Sequence, residues 1–534
     1  MRLMLIRSPA HFSSLIYPDG PWVGVPLNLL YLAAAAKKVP GVEVEILDAL
    51  AYPDFAMLEQ ASPPVLFGLS PEEIAKRARD YKADVVGITS AAETFYDDAL
   101  RTIELCRKLL PESFVIVGGT DVSLEPERYL RDAPGLDAVV VGEGEIALAG
   151  LLHALQEGTD WKAVPGLGHI KEDGSICINP ATVIENLDDY APVWAGLDFE
   201  QYFRLNREGY PSRPYIDYPG SDRAVFVITS RGCPFRCSFC SIHPTMGYRY
   251  RTHSPEFVVS QMKMLAVEHG IRHFHFEDDN LSLDRARFHA ILAGLAEADL
   301  GITWDTPNGI RADRFDEELV DLCKRTGCIY LNFGIESGCQ EVLDGIANKD
   351  LRLEEVEKTL ALCKKSGIDT MALFIMGFPG ETKDTVMRTY EYAFRIMKQH
   401  GTVPFYSIYR PYPGTPLYEK CEREGWLIDA RPYERMGKIP YMLFMPTMVE
   451  TPDLDIWYIV DRYQRYMIRF AAGVIFRALR VFLPHPLFLS GQIFGLAKRL
   501  VMRPTHFMAT VRSFFWRVLL YPRGRVAQLG RHDR

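Results

Sequence analysis

Long hydrophobic runs are missing from this sequence. Of its 534 residues 48% are hydrophobic and 24% are charged, as in ordinary globular proteins, so intrinsic disorder is not expected. No apolar segment reaches the roughly 20 residues that a transmembrane helix needs. The apolar stretch before Arg7 is also too short for the core of a signal peptide. These absences exclude a multi-span membrane protein and predict a cytoplasmic chain of three or four domains, at roughly 150 residues each.

The whole chain has ten cysteines, enough to raise the question of disulfides. In a large chain without an export signal, we expect free thiols or metal ligands rather than disulfides. Three of the ten lie within eight residues, from Cys233 to Cys240. This grouping points to a metal centre in that segment.

Acidic residues are nearly missing from the carboxyl-terminal tail. Residues 462–534 contain fourteen lysines and arginines and one acid, Asp533, although the whole chain has a net charge of −9. This asymmetry predicts a polyanionic partner for the tail, either a lipid headgroup layer or a nucleic acid.

The first 150 residues alternate short apolar runs with helical patterns. The runs are almost continuously apolar, as expected when both faces of a parallel sheet are covered. We therefore predict an α/β fold whose N-terminal domain, residues 1–150, is doubly wound and Rossmann-like. Ligands bind at the carboxyl ends of the strands in such domains. Three loops at these ends carry the candidate binding residues Gly87, Thr89, Ser90, Gly118, Gly119 and the segment 142–145. Each loop taken singly also fits a tight turn, and none matches GxGxxG.

The rest of the chain divides into three parts. Residues 151–220 lose the periodicity and gain prolines, which predicts a linker with some local structure. Residues 221–425 alternate six candidate strands with helical stretches, which fits a partial (β/α)6 barrel of the TIM type. Residues 426–534 are expected to be helical and to end in the basic tail.

A Cys-x3-Cys-x2-Cys segment follows the first barrel strand directly. Cys233, Cys237 and Cys240 lie on one short loop, so their thiolates can hold three irons of a four-iron four-sulfur cluster and leave the fourth iron open to substrate. A structural zinc site is the alternative, because His243 could complete a Cys3His set. The spacing and the position after a barrel strand favour the iron–sulfur cluster.

This motif and the segments after the later strands resemble the radical S-adenosylmethionine superfamily. The resemblance implies that the open iron binds S-adenosylmethionine. It also implies that an electron from a flavodoxin- or ferredoxin-type reductant cleaves it to a 5′-deoxyadenosyl radical, which takes hydrogen from a substrate. Matching segments imply further ligands, namely Glu277 and Asp278 for the amino group, Glu336 and Ser337 for the ribose, and Gly377 for the adenine. Arg311 could bind the carboxylate of S-adenosylmethionine or form an ion pair on the protein surface, and the sequence favours neither role.

The domain that precedes the barrel resembles the cobalamin-binding branch of this superfamily, over most of residues 1–425. The resemblance implies that cobalamin lies across the strand ends, with its lower face on the loops 87–90 and 118–120. The chain departs from the motif DxHxxG, because Leu50 stands where the cobalt-binding histidine would be, and no axial histidine is predicted. Asp121 also stands where relatives often carry histidine. The methylthiotransferase branch needs three cysteines in the N-terminal domain to hold a second cluster. That branch is excluded, since Cys106 is the only cysteine before residue 150.

Analogy with this branch leads us to expect methylation of an unactivated carbon. One S-adenosylmethionine would yield the radical and another would remethylate cobalamin. A cobalamin-assisted cyclisation or oxidation without methyl transfer, as in porphyrin ring-closing relatives, is the alternative. The alternative that is not an enzyme is a membrane adaptor stabilised by a metal.

The start of the basic tail has the pattern of an amphipathic helix. In residues 456–483 a helical projection places arginines on one stripe and apolar residues opposite. We expect an interfacial anchor at the cytoplasmic face of a membrane, and therefore a lipid-like or secondary-metabolite substrate, such as an isoprenoid or tetrapyrrole precursor. A helical cap docked on the barrel is the alternative. Nucleic-acid binding is not expected, because apolar residues outnumber the charges.

Overall fold

The structure is a computed structural model that describes residues 1–12, 23–54, 65–90, 95–208, 210, 221–429, 447–455, 457–463 and 465–466. It contains a doubly wound domain followed by a partial barrel of six parallel strands. The predicted α/β fold class is therefore confirmed.

The N-terminal domain is built on a seven-stranded sheet. Its part of the chain forms the strands β1 (Arg2–Arg7), β2 (Ala10–Phe12), β3 (Glu43–Asp48), β4 (Val65–Phe67), β5 (Val85–Thr89), β6 (Phe114–Gly118), β7 (Ala138–Val140), β8 (Leu167–Ile170) and β9 (Ile176–Ile178). The sheet has the order β3-β1-β5-β6-β7-β8-β9, and β2 and β4 form a separate antiparallel pair. The first five strands of this order are parallel, and the connections reverse direction between β1 and β5. A ligand crevice is expected at such a switch point.

Helices cover both faces of this sheet. They are α1 (Leu27–Lys37), α2 (Pro71–Tyr81), α3 (Tyr96–Leu109), α4 (Thr120–Leu124), α5 (Pro126–Asp132) and α6 (Gly144–Glu157). Successive side chains of β1 point to opposite faces, so Leu3 and Leu5 belong to one buried core and Met4 and Ile6 to another. Two covered faces explain why the strands are apolar at nearly every position.

Residues 151–208 of the segment predicted as a linker are ordered and packed. Strands β8 and β9 extend the N-terminal sheet in antiparallel pairing, so this sheet ends at residue 178 and not near 150. The helix α7 (Phe199–Arg207) follows, and its Tyr202 hydroxyl donates a hydrogen bond of 2.7 Å to Asp48. The Phe199 ring lies 4.6 Å from the His269 ring of the barrel. The two strands have only three and four residues, which is too short to produce a recognisable apolar run.

The barrel sheet runs in the order β10-β13-β14-β15-β16-β17, with every pair parallel. The strands of this part of the chain are β10 (Ala224–Val227), β11 (Ser230–Arg231), β12 (Arg251–Thr252), β13 (His273–Phe276), β14 (Thr303–Ile310), β15 (Cys328–Glu336), β16 (Asp369–Met376), β17 (Val403–Ile408), β18 (Leu427–Asp429) and β19 (Thr447–Val449). The helices are α8 (Ile242–Met246), α9 (Pro255–Glu268), α10 (Arg285–Ala298), α11 (Glu317–Arg325), α12 (Gln340–Val342), α13 (Leu353–Ser366), α14 (Lys383–His400) and α15 (Pro416–Glu424). All six strands predicted from the sequence are present in this sheet.

Only the beginning of the predicted amphipathic helix is described. Residues 457–463 and 465–466 are helical, and Tyr466 packs on the barrel with its ring 4.1 Å from that of Tyr406. Arg462 and Arg465 pair with Asp461. The rest of the basic tail lies outside the described residues. Within the part that is described, no helix combines the length and the apolar character needed to cross a membrane.

Candidate active site

A cavity of about 400 Å³ opens where the N-terminal domain faces the barrel. On one side it is lined by the carboxyl ends of β1, β5 and β6 and by the loop that leads into α6. On the other side it is lined by residues of the barrel, among them Ser230, Arg231, Glu277 and Asp279. This cavity, called the crevice below, is the predicted binding place at the switch point of the sheet.

Of the predicted N-terminal candidates, all but Ser90 line the crevice, namely Gly87, Thr89, Gly118, Gly119 and the segment 142–145. Gly119 has a φ of +127°, and a Cβ atom there would lie 2.2 Å from the Ser90 carbonyl oxygen, so only glycine fits this turn. Ser90 itself is fully buried below the crevice, where its Oγ accepts a hydrogen bond of 2.7 Å from Tyr129.

No histidine is found among the described residues that line the crevice. The segment around Leu50 does not line the crevice, and Asp48 before it accepts a hydrogen bond of 2.7 Å from Arg7 Nε. The end of β1 lines the crevice in its place, with Arg7 and Ser8. Asp121 also lies below the crevice and accepts a hydrogen bond from the Tyr129 hydroxyl.

The three cysteines lie on the segment 232–250, called the cluster loop below, between the paired strands β11 and β12. Asp279 accepts a hydrogen bond of 3.0 Å from Gly232 N, and Ser238 N donates one of 2.9 Å to the Ala347 carbonyl. The Asn280 side chain donates to Cys233 Sγ at 3.7 Å. The loops after β13 and β15 therefore position the segment that carries the thiols.

The spacing of the thiols argues against a single zinc ion. Four ligands around one zinc with bonds of about 2.3 Å would stand about 3.8 Å apart. Among the described residues, the cysteines do not form any group of three ligand atoms within 4.8 Å of one another, with or without His243. His243 stacks on Tyr248 with the ring centroids 4.2 Å apart, and burial lowers its pKa. The arrangement fits a larger metal group better than a Cys3His site.

Three neighbouring carboxylates after β13 face different surroundings. Glu277 and Asp279 line the crevice, as the amino-group site would require. Asp278 is buried instead, where it accepts hydrogen bonds from the hydroxyls of Thr229 at 2.7 Å and Ser230 at 2.5 Å. Burial raises the pKa of Asp279 to about 7, against the opposing effect of the Gly232 N–H. Asp279 is therefore the second crevice carboxylate, and Asp278 ties the start of the cluster loop to β13.

A lysine that the sequence analysis did not single out accompanies the predicted ribose residue. Glu336 accepts a hydrogen bond of 2.7 Å from Lys349 Nζ, and both side chains are about nine-tenths buried. Burial opposes the charge of Lys349, but Glu336 and the Cys237 thiol raise its pKa. Glu336 has a φ of +70° at a bulge of β15, an unusual conformation for a residue other than glycine. Such strain is commonly found at functional sites.

Arg311 lies against the cluster loop. Its guanidinium is 3.8 Å from the centre of the Phe235 ring and pairs with Asp313 through bonds of 2.9 and 2.8 Å. It also donates a bond of 2.8 Å to the Lys349 carbonyl. The residue is 6% exposed, so this ion pair is buried and not on the surface.

Ser337 and Gly377 stabilise turns at the ends of β15 and β16. The Ser337 hydroxyl bonds to Thr389 Oγ1 at 2.9 Å and is fully buried. Gly377 has a φ of +84°, and its N–H donates a bond of 2.8 Å to the buried carboxylate of Glu381. Burial raises the pKa of Glu381 to about 7.

A buried ion network joins the two domains at the edge of the crevice. Glu143, on the loop before α6, pairs with Arg251 of β12 and with Arg231 of β11. Glu145 pairs with the same Arg231 at 2.7 Å. Glu143 and Glu145 were predicted only as part of the segment 142–145, and Arg231 and Arg251 were not predicted as site residues. The network holds the paired strands on both sides of the cluster loop against the N-terminal domain.

Two family models match the chain. One describes a B12 binding domain and matches residues 22–152, and the other describes the radical SAM superfamily and matches residues 227–393. An uncharacterised methyltransferase of Pyrococcus horikoshii is 31% identical over 421 residues, which are 78% of this chain and 83% of that relative. The chain belongs to the cobalamin-binding radical S-adenosylmethionine family. It is a radical SAM enzyme, as predicted from the Cys-x3-Cys-x2-Cys segment.

Two further proteins are similar to this chain. An anaerobic magnesium-protoporphyrin IX monomethyl ester cyclase of Rubrivivax gelatinosus is 28% identical over 474 residues, which are 88% of this chain and 77% of that protein. The radical SAM methyltransferase TsrM of Kitasatospora setae, solved with tryptophan and a SAM analogue, has a TM-score of 0.66 at 21% identity and 88% coverage of both chains. The second similarity concerns the fold, which the two proteins share.

The cofactors of this radical SAM enzyme are a four-iron four-sulfur cluster, S-adenosylmethionine and cobalamin, as predicted from the sequence. The described residues fit these groups. The three thiols lie on one loop between β11 and β12, and the crevice lies at the strand ends with glycines on its floor.

Proposed function

We propose that this enzyme transfers a methyl group to an unactivated carbon of a lipid-like or secondary-metabolite substrate. The observation that carries the proposal is the single crevice lined both by the strand ends of the N-terminal domain and by Glu277 and Asp279 of the barrel. When bound, cobalamin supplies a methyl carrier, and the iron–sulfur cluster with S-adenosylmethionine supplies a radical. A common cavity allows both kinds of chemistry to reach one substrate.

We infer the following roles for the residues of the site. Cys233, Cys237 and Cys240 hold the iron–sulfur cluster. Glu277 and Asp279 accept hydrogen bonds from an ammonium group at the barrel side of the crevice. The electron comes from an external reductant of the flavodoxin or ferredoxin type.

The pair of Glu336 and Lys349 lies next to the cluster loop. Glu336 accepts from the ribose hydroxyls of S-adenosylmethionine, and Lys349 orients this carboxylate through its hydrogen bond of 2.7 Å. Arg311 positions the cluster loop through Phe235.

The floor of the crevice takes the corrin ring of cobalamin. Gly118 and Gly119 keep the floor free of side chains, so a flat ring can approach the backbone. Thr89 accepts a hydrogen bond of 3.0 Å from the Asn28 side chain beside this floor. Among the described residues of the lining there is no histidine that could supply an imidazole to the cobalt.

The methyl transfer is tested with S-adenosylmethionine that carries a deuterated methyl group. The reconstituted enzyme, a low-potential reductant and candidate substrates are incubated without oxygen, and the products are analysed by mass spectrometry. We expect 5′-deoxyadenosine, S-adenosylhomocysteine and a product that has gained the label. A turned-over product without label would exclude methyl transfer. The triple variant Cys233→Ala/Cys237→Ala/Cys240→Ala should form neither 5′-deoxyadenosine nor product.

A cyclisation without methyl transfer is the second candidate. It is favoured by the similarity to the Rubrivivax cyclase, which spans 88% of this chain. In that case 5′-deoxyadenosine forms, S-adenosylhomocysteine does not accumulate, and the product has lost hydrogen without gaining label. The same labelling experiment therefore distinguishes the two candidates.

The substrate class rests on the basic tail. Fourteen basic residues and one acid follow residue 461, and such a segment binds anionic membrane surfaces when its other face is apolar. We propose that the enzyme attaches to the inner face of the membrane in this way and takes its substrate from there.

A further inference from the structure

Three residues that the radical chemistry does not use meet inside the barrel. His273 and His275 are alternate residues of β13, and Asp305 lies opposite His275 on the neighbouring strand β14. All three are at most 2% exposed. They are called the His–His–Asp group below.

The group faces the interior of the barrel. Phe274 and Phe276 alternate with the two histidines, and Trp304 precedes Asp305, so these rings point to the opposite face of the sheet. Trp304 packs there against Phe276 and against Phe288 of α10, at 5.4 and 6.2 Å between ring centres. The strands therefore place two imidazoles and one carboxylate together on the side away from the helices.

The distances within the group suit one metal ion. Asp305 Oδ1 is 2.7 Å from His275 Nδ1 and 3.5 Å from His273 Nε2. One donor atom from each residue lies within 4.8 Å of the other two. A tetrahedral zinc ion with bonds of about 2.0–2.2 Å separates its ligand atoms by about 3.3–3.6 Å. Small side-chain movements would bring all three atoms to that separation.

A second observation concerns the other carboxylate oxygen of the group. The other carboxylate oxygen, Asp305 Oδ2, is buried and has no hydrogen-bond partner among the described residues. Leaving a buried acceptor of a charged group unpaired is costly. A metal ion bound to both oxygens of Asp305 would satisfy this atom and complete four ligand atoms.

The first histidine is oriented as metal-binding histidines usually are. His273 Nδ1 forms a hydrogen bond of 2.8 Å with Thr303 Oγ1, on the residue opposite it in β14. This bond turns Nε2 toward Asp305. A hydrogen bond from the second ring nitrogen to a neighbouring group is the common way in which proteins orient a ligating imidazole.

We propose that His273, His275 and Asp305 bind one divalent zinc ion inside the barrel, separately from the iron–sulfur cluster. Two imidazoles and a carboxylate, without a thiolate, are a set that zinc accepts. Along β13 the site begins two residues before Glu277, about 7 Å further from the crevice. The ion cross-links β13 and β14, the strands that carry Glu277 and Arg311 at their carboxyl ends. Its role is structural, since the group is closed to solvent.

Metal counting on the anaerobically reconstituted full-length enzyme tests the proposal. The protein is incubated with zinc alone, passed over a chelating resin and analysed for zinc and iron by mass spectrometry. We expect one zinc per chain beside the irons of the cluster. Asp305→Asn and His273→Gln should each lose the zinc and keep the iron. The control His289→Gln removes an exposed histidine of α10, 43% exposed, and should keep both metals.

The first coordination shell of the zinc decides the location. X-ray absorption at the zinc edge should show nitrogen and oxygen neighbours alone, in the wild-type enzyme and in the variant whose three cluster cysteines are replaced. Sulfur neighbours, or zinc retained by both Asp305→Asn and His273→Gln, would place the ion elsewhere. An enzyme that keeps no zinc after the resin would show that the group is a hydrogen-bonded ion pair only. If Asp305→Asn does not fold, His273→Gln and the absorption spectrum still decide whether the His–His–Asp group binds zinc.

Discussion

Lys349 and Glu336 show how single residues keep charge inside the site. Each side chain is about nine-tenths buried, and each charge depends on the other for compensation. Breaking a buried pair by removing one partner usually costs 3–5 kcal/mol, since the remaining charge stays unpaired, whereas removing both can be nearly neutral. The two residues are therefore expected to behave as a unit in any substitution experiment.

We expect Lys349→Met to destabilise the metal-free chain by about 3 kcal/mol. The double variant Lys349→Met/Glu336→Gln should recover most of this loss, because no unpaired charge remains. Urea denaturation followed by circular dichroism measures both. The control Arg352→Gln removes the exposed partner of Asp344 and should change stability by no more than about 1 kcal/mol. Additive effects of Lys349 and Glu336 would contradict the coupling.

Glu381 makes stability depend on pH. Its pKa is raised to about 7 by burial, although the N–H groups of Phe378 and Gly377 lower it. The folded chain thus binds a proton that the unfolded chain has lost between about pH 4.5 and 7, so stability falls as pH rises through this range. The free energy of unfolding has fallen by its full amount, about 3 kcal/mol, once the pH is above 7.

Glu381→Gln should remove this pH dependence. The amide oxygen can still accept from Gly377 N, and it carries no charge to desolvate. We expect the difference in thermal midpoint between pH 5 and pH 8 to be smaller in the variant than in the wild type. Glu391→Gln, an exposed carboxylate of α14, is the control and should leave the difference as it is. Equal differences in wild type and Glu381→Gln would refute the prediction.

At the scale of elements, the cluster loop is held by its two flanking strands. β11 and β12 pair only through Ser230 with Thr252 and Arg231 with Arg251, so the hairpin is too short to be stable alone. Glu143 reaches both arginines from the N-terminal domain and is completely buried. It also accepts a hydrogen bond of 3.1 Å from Ile184 N. One carboxylate therefore organises the base of the loop.

Replacing Glu143 by Gln should loosen the cluster loop. Arg231 would keep its partner Glu145, but the buried guanidinium of Arg251 would keep only the carbonyls of Ile184 and Met246, so we expect a loss of about 3–5 kcal/mol. Hydrogen exchange of residues 230–252 should become faster, and iron should be retained less well after reconstitution. Glu185→Gln is a matched control, because Glu185 pairs with Arg249 of the same loop on the surface, where ion pairs contribute up to about 1 kcal/mol. Unchanged exchange in Glu143→Gln would contradict this role.

At the scale of the whole molecule, the beginning of the tail belongs to the barrel. Tyr466 contacts the rings of Tyr406, Tyr390 and Phe394, and Ile459 lies where a side chain at Gly377 would be. These described residues of the tail therefore form a helical cap docked on the barrel, which was the alternative to a membrane anchor. A truncation that tests membrane binding must therefore keep residues up to Tyr466.

A chain that ends after residue 468 should bind anionic vesicles more weakly than the full chain. Each basic residue near such a surface contributes about 1 kcal/mol, so replacing Arg469, Arg477 and Arg480 by Gln in the full chain should lower the partition coefficient by roughly two orders of magnitude. Co-sedimentation with vesicles of phosphatidylglycerol measures both effects, and neutral phosphatidylcholine vesicles serve as the control. Equal binding of the long and short chains would remove the support for a membrane-derived substrate.

The sequence by itself determined the features that are written locally. Six apolar runs separated by helical patterns were enough to predict the barrel, because each strand is recognised within a few residues. The spacing of Cys233, Cys237 and Cys240 was enough to predict the metal centre, because a short loop keeps the thiols together whatever surrounds it.

Only the tertiary structure decided which charged residues are buried together. Glu143 and Arg251 are 108 residues apart in the chain, and Asp305 meets histidines about 30 residues away. In the sequence these side chains look like ordinary surface charges, because nothing local reveals which ones lose water on folding. Asp278 and Asp279 are adjacent in the chain, but one is turned to Thr229 and the other to the crevice. These two residues follow the end of β13, and their directions are set by hydrogen bonds to Thr229 and Gly232, almost 50 residues earlier in the chain.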